Sequence, residues 1–208
     1  MSVIPFRRRL IPYQFFNANY IIIGINLFIF MLGLVFHWIP GALALSPVGF
    51  LDQQHYWQIL TFFFTEVDIW ALVFNLLGLF FFGNQVEKEM GSIEYLLFYF
   101  CTGIGSGLLS LVLYSVAGVY GVPILGSSAT VFAVLLAFTA FYPDTIMYFF
   151  GIFPLRAPIL VLIFVGFQVF SLVSSWGPAA LTNLNGLLLA YLYMLIRYRT
   201  NPFKNFFR

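Results

Sequence analysis

The stretch Gly126-Ser127-Ser128-Ala129 introduces an apolar segment that continues without a charged residue to position 142. A Gly-x-Ser-small sequence at the start of an apolar helix indicates a serine site inside a membrane bundle. A second polar residue, Asn183, lies at a comparable position in another apolar segment. A serine hydroxyl becomes a good nucleophile only beside a base, and an asparagine amide is not one. The identity of residue 183 therefore governs the chemistry that this site can support.

The composition of the chain indicates that its solvent is lipid. Of the 208 residues, 62% are hydrophobic and 8% are charged, and the mean hydropathy is +0.98. A soluble domain of this size needs more surface charge, because its exterior faces water. Apolar segments of about 20 residues, enough for one helix to cross the hydrocarbon, recur along the chain. We predict an all-α polytopic membrane protein, a bundle of six transmembrane helices over residues 18–38, 67–84, 92–117, 123–142, 156–175 and 179–197.

The charged residues support six crossings and predict the orientation. With six spans, all nine basic residues fall on one side of the membrane, which the positive-inside rule makes cytoplasmic. We therefore expect both termini in the cytoplasm and one membrane domain over residues 1–208. It comprises a cytoplasmic segment 1–17, a six-helix core 18–197 with an exterior loop 39–66, and a cytoplasmic tail 198–208. The basic residues are Arg7, Arg8, Arg9, Lys88, Arg156, Arg197, Arg199, Lys204 and Arg208.

Charge and cysteine content disfavour several classes of function. The net charge is +2, and no basic stripe is available to neutralise phosphates, which argues against nucleic-acid binding. The single cysteine, Cys101, excludes an intramolecular disulfide and a cysteine metal cluster. We expect no metal and no other cofactor. The first apolar segment is too long for a cleaved signal peptide, so we expect a multi-pass protein embedded in the lipid bilayer of a bacterial plasma membrane.

The long exterior segment is rich in aromatic residues, among them Trp38, Tyr56 and Trp57. Aromatic rings favour the membrane interface, where one edge stays in contact with water. The segment is therefore interpreted as lying in the interface or dipping into it. An ordinary connecting loop is the alternative.

Three polar residues share one predicted depth in the bundle. Ser128, Asn75 and Asn183 each lie five or six residues inside the outer end of a predicted span, about 8–9 Å below the outer surface at 1.5 Å per residue. Polar groups in a bundle usually face its interior, because lipid offers them no partner. The three side chains are thus candidates for a shared site. Each also has a structural interpretation, as a packed serine or as an interhelical hydrogen-bond clamp.

The order of the motifs resembles the rhomboid family of intramembrane serine proteases and their inactive relatives, over nearly the whole chain. Trp57 through Asn75 is similar to the family's exterior loop running into its second helix. Residues 83–91 contain Gly-x-x-x-Glu-x-x-x-Gly, similar to a family turn, and Gly126-Ser127-Ser128-Ala129 matches the nucleophile motif. Asn183-Leu184-Asn185-Gly186 occupies the place of the family's sixth-helix His-x-x-Gly. The resemblance implies hydrolysis of a peptide bond in or near a substrate's transmembrane helix.

By this resemblance, Ser128 stands at the nucleophile position and Asn75 at an oxyanion-stabilising position. Asn183 replaces the histidine that takes the serine proton. Further departures follow the same trend: Ala71, Glu66 and Ala180 stand where the family often has histidines, Gln58 replaces an arginine, and Asn185 replaces a small residue. The only histidines are His37 and His55, outside the sixth span. No lysine or carboxylate is expected close enough to Ser128 to act as the base.

Three functional hypotheses follow. The first is a catalytically defective rhomboid, a pseudoprotease that binds the transmembrane helices of client membrane proteins. The second is an active serine endopeptidase with an unorthodox base, such as a water held by Asn183 or a histidine from the exterior loop. The third is a transporter or channel, which the scarcity of buried ionisable groups and the lack of internal repeats disfavour. The client and the oligomeric state are not predicted.

Overall fold

The computed structural model describes residues 11–149, 153–175 and 177–199. A short 3-10 turn occurs at Phe62–Phe64, and π-helical turns occur at Val48–Asp52, at Leu79–Gly83 within the second long helix, and at Met194–Tyr198 after the last one. A two-stranded antiparallel hairpin pairs β1 (Ile146–Phe149) with β2 (Phe153–Arg156). This hairpin was not predicted from the sequence. The α-helices of the described chain, numbered in order, are α1 Ala18–Val35, α2 Ile39–Leu43, α3 Gln58–Thr61, α4 Ile69–Met90, α5 Ser92–Val116, α6 Ser128–Phe141, α7 Ala157–Ser175 and α8 Pro178–Tyr193.

Five of these helices are long and apolar enough to cross a membrane, namely α1, α4, α5, α7 and α8. They agree with five of the six predicted spans, so a multi-pass helical membrane fold is confirmed. The helix in the remaining predicted span, α6, has 14 residues. Its length of about 21 Å is less than the hydrocarbon thickness of about 30 Å. Because α6 begins at Ser128, the predicted helix over residues 123–142 is wrong over its first five residues.

Residues ahead of α6 are extended because they pair with the exterior segment. Leu45 and Ile124 exchange two backbone hydrogen bonds of 2.9 and 2.7 Å, and the Gly126 N–H donates to the carbonyl of Phe62 at 3.1 Å. Non-helical backbone is tolerated at membrane depth only where protein satisfies its polar groups. The segment 39–66 is thus built into the bundle, with Leu45 and Phe62 fully buried. This packing favours the interpretation that the segment dips inward over that of an ordinary loop.

Helix α4 extends beyond its predicted end at residue 84 to Met90. Residues Asn84–Met90 include the good helix formers Gln, Glu, Lys and Met, and the chain turns only at Gly91. The segment predicted as a turn is thus mostly helix. It places the carboxylate of Glu87 against the start of α1, where its oxygens accept the backbone N–H groups of Ala18 at 2.6 Å and Asn19 at 3.0 Å, and the hydroxyl of Ser92.

A second buried carboxylate joins α5 to the end of α8. Glu94 accepts hydrogen bonds of 2.6 Å from Nε and Nη2 of Arg197 and from the hydroxyl of Tyr193. The described basic residues, Lys88, Arg156, Arg197 and Arg199, all lie at this end of the bundle, which we call the basic end. The opposite end, which carries Asp52, Glu66 and Asp68, is called the acidic end. The segments predicted as cytoplasmic, and Arg7, Arg8, Arg9, Lys204 and Arg208, lie wholly or partly outside the described residues.

Helix α6 runs through the centre of the core and buries most of its residues. Helix α8 packs so closely on its first turn that a side chain at Gly186 would collide with the backbone carbonyl of Ala129. On the other side, large aromatic residues of α5 and of the exterior segment fill the core, including Phe62, Phe63 and Tyr99. The first turn of α6 is thereby fixed between α4, α5 and α8.

Candidate functional site

Ser128 is the first residue of α6 rather than a residue five positions inside it. The predicted depth of Ser128 assumed five helical residues before it. That assumption is wrong, because extended residues precede Ser128. Gly126 precedes it with φ of +105°, a conformation that side-chain-bearing residues rarely adopt. This turn directs the chain from the extended residues 123–125 into α6 and leaves Ser128 half-buried.

The side chain of Asn75, on α4, contacts Ser128 directly. Its Nδ2 donates to the serine Oγ at 3.1 Å, and the hydroxyl faces Oδ1 of the same amide at 3.3 Å. The second N–H of the amide donates to Oε2 of Glu66 at 3.1 Å. Asn75 is therefore an amide held between a hydroxyl and a carboxyl group.

Glu66 was not predicted to lie near this pair of residues. Its carboxyl group contacts the Asn75 amide, and among the described residues it forms no hydrogen bond with Ser128 itself. The side chain is 6% exposed, lies within 3.1 Å of the position that a Cβ on Gly126 would take, and accepts the Val67 N–H at 3.3 Å. Burial raises the pKa of Glu66 above its usual value, and the hydrogen bonds from Val67 and Asn75 oppose that rise. A carboxyl group after three phenylalanines in a membrane protein was itself a signal of function.

Asn183, at the position of the missing histidine, is 8% exposed on α8. Its Nδ2 donates to Oε1 of Gln168 on α7 at 3.3 Å. Among the described residues, neither side chain forms a hydrogen bond with Ser128. The structure thus brings together Ser128 and Asn75 of the three predicted site residues, whereas Asn183 pairs with a different helix. Gln168, an amide in the middle of an apolar span, was not singled out from the sequence.

Both histidines of the chain lie away from the serine hydroxyl. His37 is exposed just beyond the end of α1, and His55 stacks on Trp57 with ring centroids 4.5 Å apart. The indole N–H of Trp57 donates to the carbonyl of Ala42, which holds this pair in the exterior segment. Neither imidazole forms a hydrogen bond with Ser128 in the structure. The hypothesis that a histidine of the exterior loop acts as the base is therefore not supported by these contacts.

The other departures from the family pattern have local structural partners. Asp68 caps α4 by accepting the backbone N–H of Ala71, whose methyl side chain offers no donor to the site. Asn185 donates to Oγ of Ser110 on α5 at 2.9 Å rather than filling the space beside the serine. Gln58 is buried against the exterior segment and accepts the Ser46 N–H.

The chemistry available to this arrangement is limited by its proton acceptors. A nucleophile needs a hydroxyl and an oxyanion needs an N–H donor, and Ser128 and Asn75 bring one of each within 3.1 Å of each other. The amides of Asn75 and Asn183 do not titrate near neutral pH, so neither can take the serine proton. Among the described residues, no group of three or more His, Cys, Asp or Glu side chains could hold a metal ion. Glu66 is therefore the titratable group of this constellation.

Comparison with known proteins identifies the fold independently. The family model described as "Rhomboid domain" matches residues 53–200, which is most of the chain. A similar curated protein is "RHOMBOID-like protein 1" of Arabidopsis thaliana, 29% identical over 102 residues. That match covers 46% of this chain and 25% of the plant protein, so this chain corresponds to about a quarter of its relative's length.

Proposed function

Because this chain belongs to the rhomboid family, whose reaction is intramembrane proteolysis, we propose that it binds the transmembrane helices of client membrane proteins as a pseudoprotease. The observation that carries the proposal is that the Ser128 hydroxyl is paired with the Asn75 amide, while Asn183 is turned to Gln168. Removing one member of a serine–histidine unit costs about 10⁶ in turnover. A bound client would therefore persist rather than be cleaved.

The helices that carry the site amides also carry large apolar side chains on their outer surfaces. Trp70 and Phe74 of α4 and Phe167 and Phe170 of α7 are all exposed. A client helix in the bilayer would pack against these surfaces. If it unwinds locally, its free backbone groups find amide donors and acceptors at Asn75, Gln168 and Asn183. This supports a preference for transmembrane helices with low intrinsic stability.

Photocrosslinking in lipid nanodiscs tests the proposal. Phe170→p-benzoylphenylalanine places the probe on α7, and Phe28→p-benzoylphenylalanine is the matched control on the equally exposed surface of α1. We expect a designed transmembrane helix containing glycine and proline to crosslink from position 170, more than from position 28 and more than a polyleucine helix does. The designed helix should remain intact, with no cleavage product. Cleavage that Ser128→Ala abolishes would contradict the proposal, as would equal crosslinking from both positions.

One observation favours a second candidate, an active serine endopeptidase with Glu66 as its base. The oxygens of Glu66 and Ser128 accept from the two N–H groups of one amide, which places them about 5 Å apart. One water spans such a gap and could pass the Ser128 proton to the carboxylate as Oγ attacks the scissile carbonyl carbon. The carboxylic acid would then return that proton to the leaving amine nitrogen, and a second water would hydrolyse the acyl-serine.

A fluorophosphonate probe separates the two candidates, because it reacts only with an activated serine. If the protein is a pseudoprotease, Ser128 stays unmodified at neutral pH under conditions that label a serine hydrolase completely. Labelling that both Ser128→Ala and Glu66→Gln abolish would establish the endopeptidase and overturn the first candidate.

We propose a bacterial plasma membrane as the location, and the distribution of Lys and Arg supports an orientation with the basic end in the cytoplasm. A cysteine-accessibility assay at the two ends, in a Cys101→Ser background, tests the orientation.

A further inference from the structure

Glu66 is a buried acidic residue that has no role in client binding as proposed above. Its side chain is 6% exposed and accepts two hydrogen bonds, from the Val67 N–H and from Asn75. Among the described residues it meets no Lys or Arg, whereas Glu94 at the basic end is paired with Arg197. A buried carboxylate without a cation is costly, and an ionisable residue in a membrane bundle indicates function by default.

The position of Glu66 limits what its ligand can be. A carboxylate only accepts hydrogen bonds and offers about four acceptor positions, of which two are used here. Asp68, two residues away, adds a second negative charge. The acidic end has no Lys or Arg among the described residues. Within the described part of the chain no basic residue is available to pair with Glu66, so a cation supplied by another molecule would be its partner.

We propose that Glu66 binds a lysine or arginine side chain that a client carries near the end of its transmembrane helix that meets the acidic end. The inference rests on the proposed function, since it assigns a specificity to the same site. Lys and Arg have long apolar stems that pass along a helix surface while the charged head reaches a polar group. Half-buried Ser128 and buried Asn75 would flank the bound cation.

Such a preference would select an unusual class of clients. If the basic end faces the cytoplasm, the acidic end faces the side of the membrane where basic residues are scarce beside transmembrane helices. Clients with a basic residue there would be helices whose charge distribution disfavours their orientation. Their recognition would give a pseudoprotease a definite set of targets, without any cleavage.

Two designed transmembrane helices that differ at one position test the inference. One carries Arg and the other Gln, three residues inside the end that meets the acidic end. Their binding to the full chain in nanodiscs is measured by fluorescence energy transfer for the wild type, Glu66→Gln and Asp52→Asn. Glu66→Gln keeps the shape of the side chain, and Asp52→Asn removes one exposed negative charge from the same end without touching Glu66.

We expect the wild type to bind the Arg helix about tenfold more tightly than the Gln helix, a typical effect of one partly desolvated ion pair. Glu66→Gln should abolish that preference while it still binds the Gln helix, and Asp52→Asn should keep the preference. Equal binding of both helices by the wild type would overturn this inference alone, as would a preference lost equally in the two variants. Failure of the wild type to bind either helix would overturn the proposed function, and the inference with it.

Discussion

The buried glutamates at the two ends of the bundle have different hydrogen-bond partners. At the basic end, Glu87 accepts two backbone N–H groups and a serine hydroxyl, and Glu94 accepts both arms of Arg197 and a tyrosine hydroxyl. At the acidic end, Glu66 has two neutral donors and no cation. The first two carboxylates join helices that are distant in sequence, whereas Glu66 adjoins a half-buried serine.

The difference separates a structural role from a functional one. A buried charge that is fully hydrogen-bonded connects helices, and removing either partner destabilises the protein. A buried charge with incomplete partners is retained at a cost to the folded state. The basic end is therefore expected to determine stability and the acidic end to determine binding. Substitutions at the two ends test this division.

The largest effect is expected at Glu87. Glu87→Ala leaves the first two N–H groups of α1 and the Ser92 hydroxyl without their shared acceptor. Loss of hydrogen bonds to a buried charge should lower the free energy of unfolding by about 3 kcal/mol or more. Unfolding by SDS titration in mixed micelles measures this. Glu89→Ala is the control on the same helix, because Glu89 accepts one bond, from Tyr142, and its loss should cost about 1 kcal/mol. Equal effects of the two substitutions would contradict the role of Glu87 at the start of α1.

A smaller effect is expected for the ion pair between Glu94 and Arg197. The arginine side chain is 22% exposed, so water screens part of the interaction. A double-mutant cycle with Glu94→Gln and Arg197→Gln should give a coupling energy of about 1–2 kcal/mol. Arg197→Lys keeps the charge and loses the two-armed geometry, so it should recover less than half of that energy. A coupling near zero would show that this end is held by packing alone.

Glu66→Gln is expected to stabilise the protein by up to about 1 kcal/mol at neutral pH, because it removes a poorly compensated buried charge. The pKa of Glu66 is raised above its usual 4.5 in the folded state, so the folded chain holds the proton more tightly than the unfolded chain. The wild type should therefore lose stability as the pH rises from about 4.5 through the folded pKa. Unfolding of both proteins at several pH values should show curves that converge at low pH and separate above it. A difference independent of pH would contradict this account.

The smallest effect is expected from Asn183→His. The imidazole would replace a side chain directed to Gln168 on α7, and Ala71 would still supply no donor to an oxyanion. We expect no cleavage of a transmembrane substrate and no fluorophosphonate labelling of Ser128. Matched assays of the wild type and Asn183→His at equal protein concentration measure this. Substantial labelling would show that the rest of the site is intact and that one residue separates it from catalysis.

The transmembrane helices could largely be predicted from the sequence, because length and hydropathy determine which segments cross lipid. The boundaries of α4 and α6 could not. Residues 84–90 include good helix formers, and their position is further stabilised by the hydrogen bonds that Glu87 accepts from the start of α1. Residues 123–127 are extended because they pair with Leu45 and Phe62. Both depend on contacts with segments far away in the chain, which hydropathy does not register.

Only part of the candidate site could be predicted from the sequence, because some of its contacts also join segments far apart in the chain. The serine motif and Asn75 follow from local sequence and from the resemblance to rhomboids. The direction of Asn183 towards Gln168 follows only from the packing of α7 on α8. In the linear sequence Glu66 stands only as a replacement for a histidine, since the contact of its carboxyl group with the Asn75 amide depends on the tertiary structure.

The sequence by itself determined that this chain crosses a membrane several times, that it has the rhomboid motifs, and that no histidine stands at position 183. These properties depend on residue type and local spacing. The tertiary structure decided which polar groups meet, because side-chain contacts between helices depend on how the helices are rotated and packed. It placed a carboxyl group, rather than an imidazole, on the far side of the amide that contacts the serine.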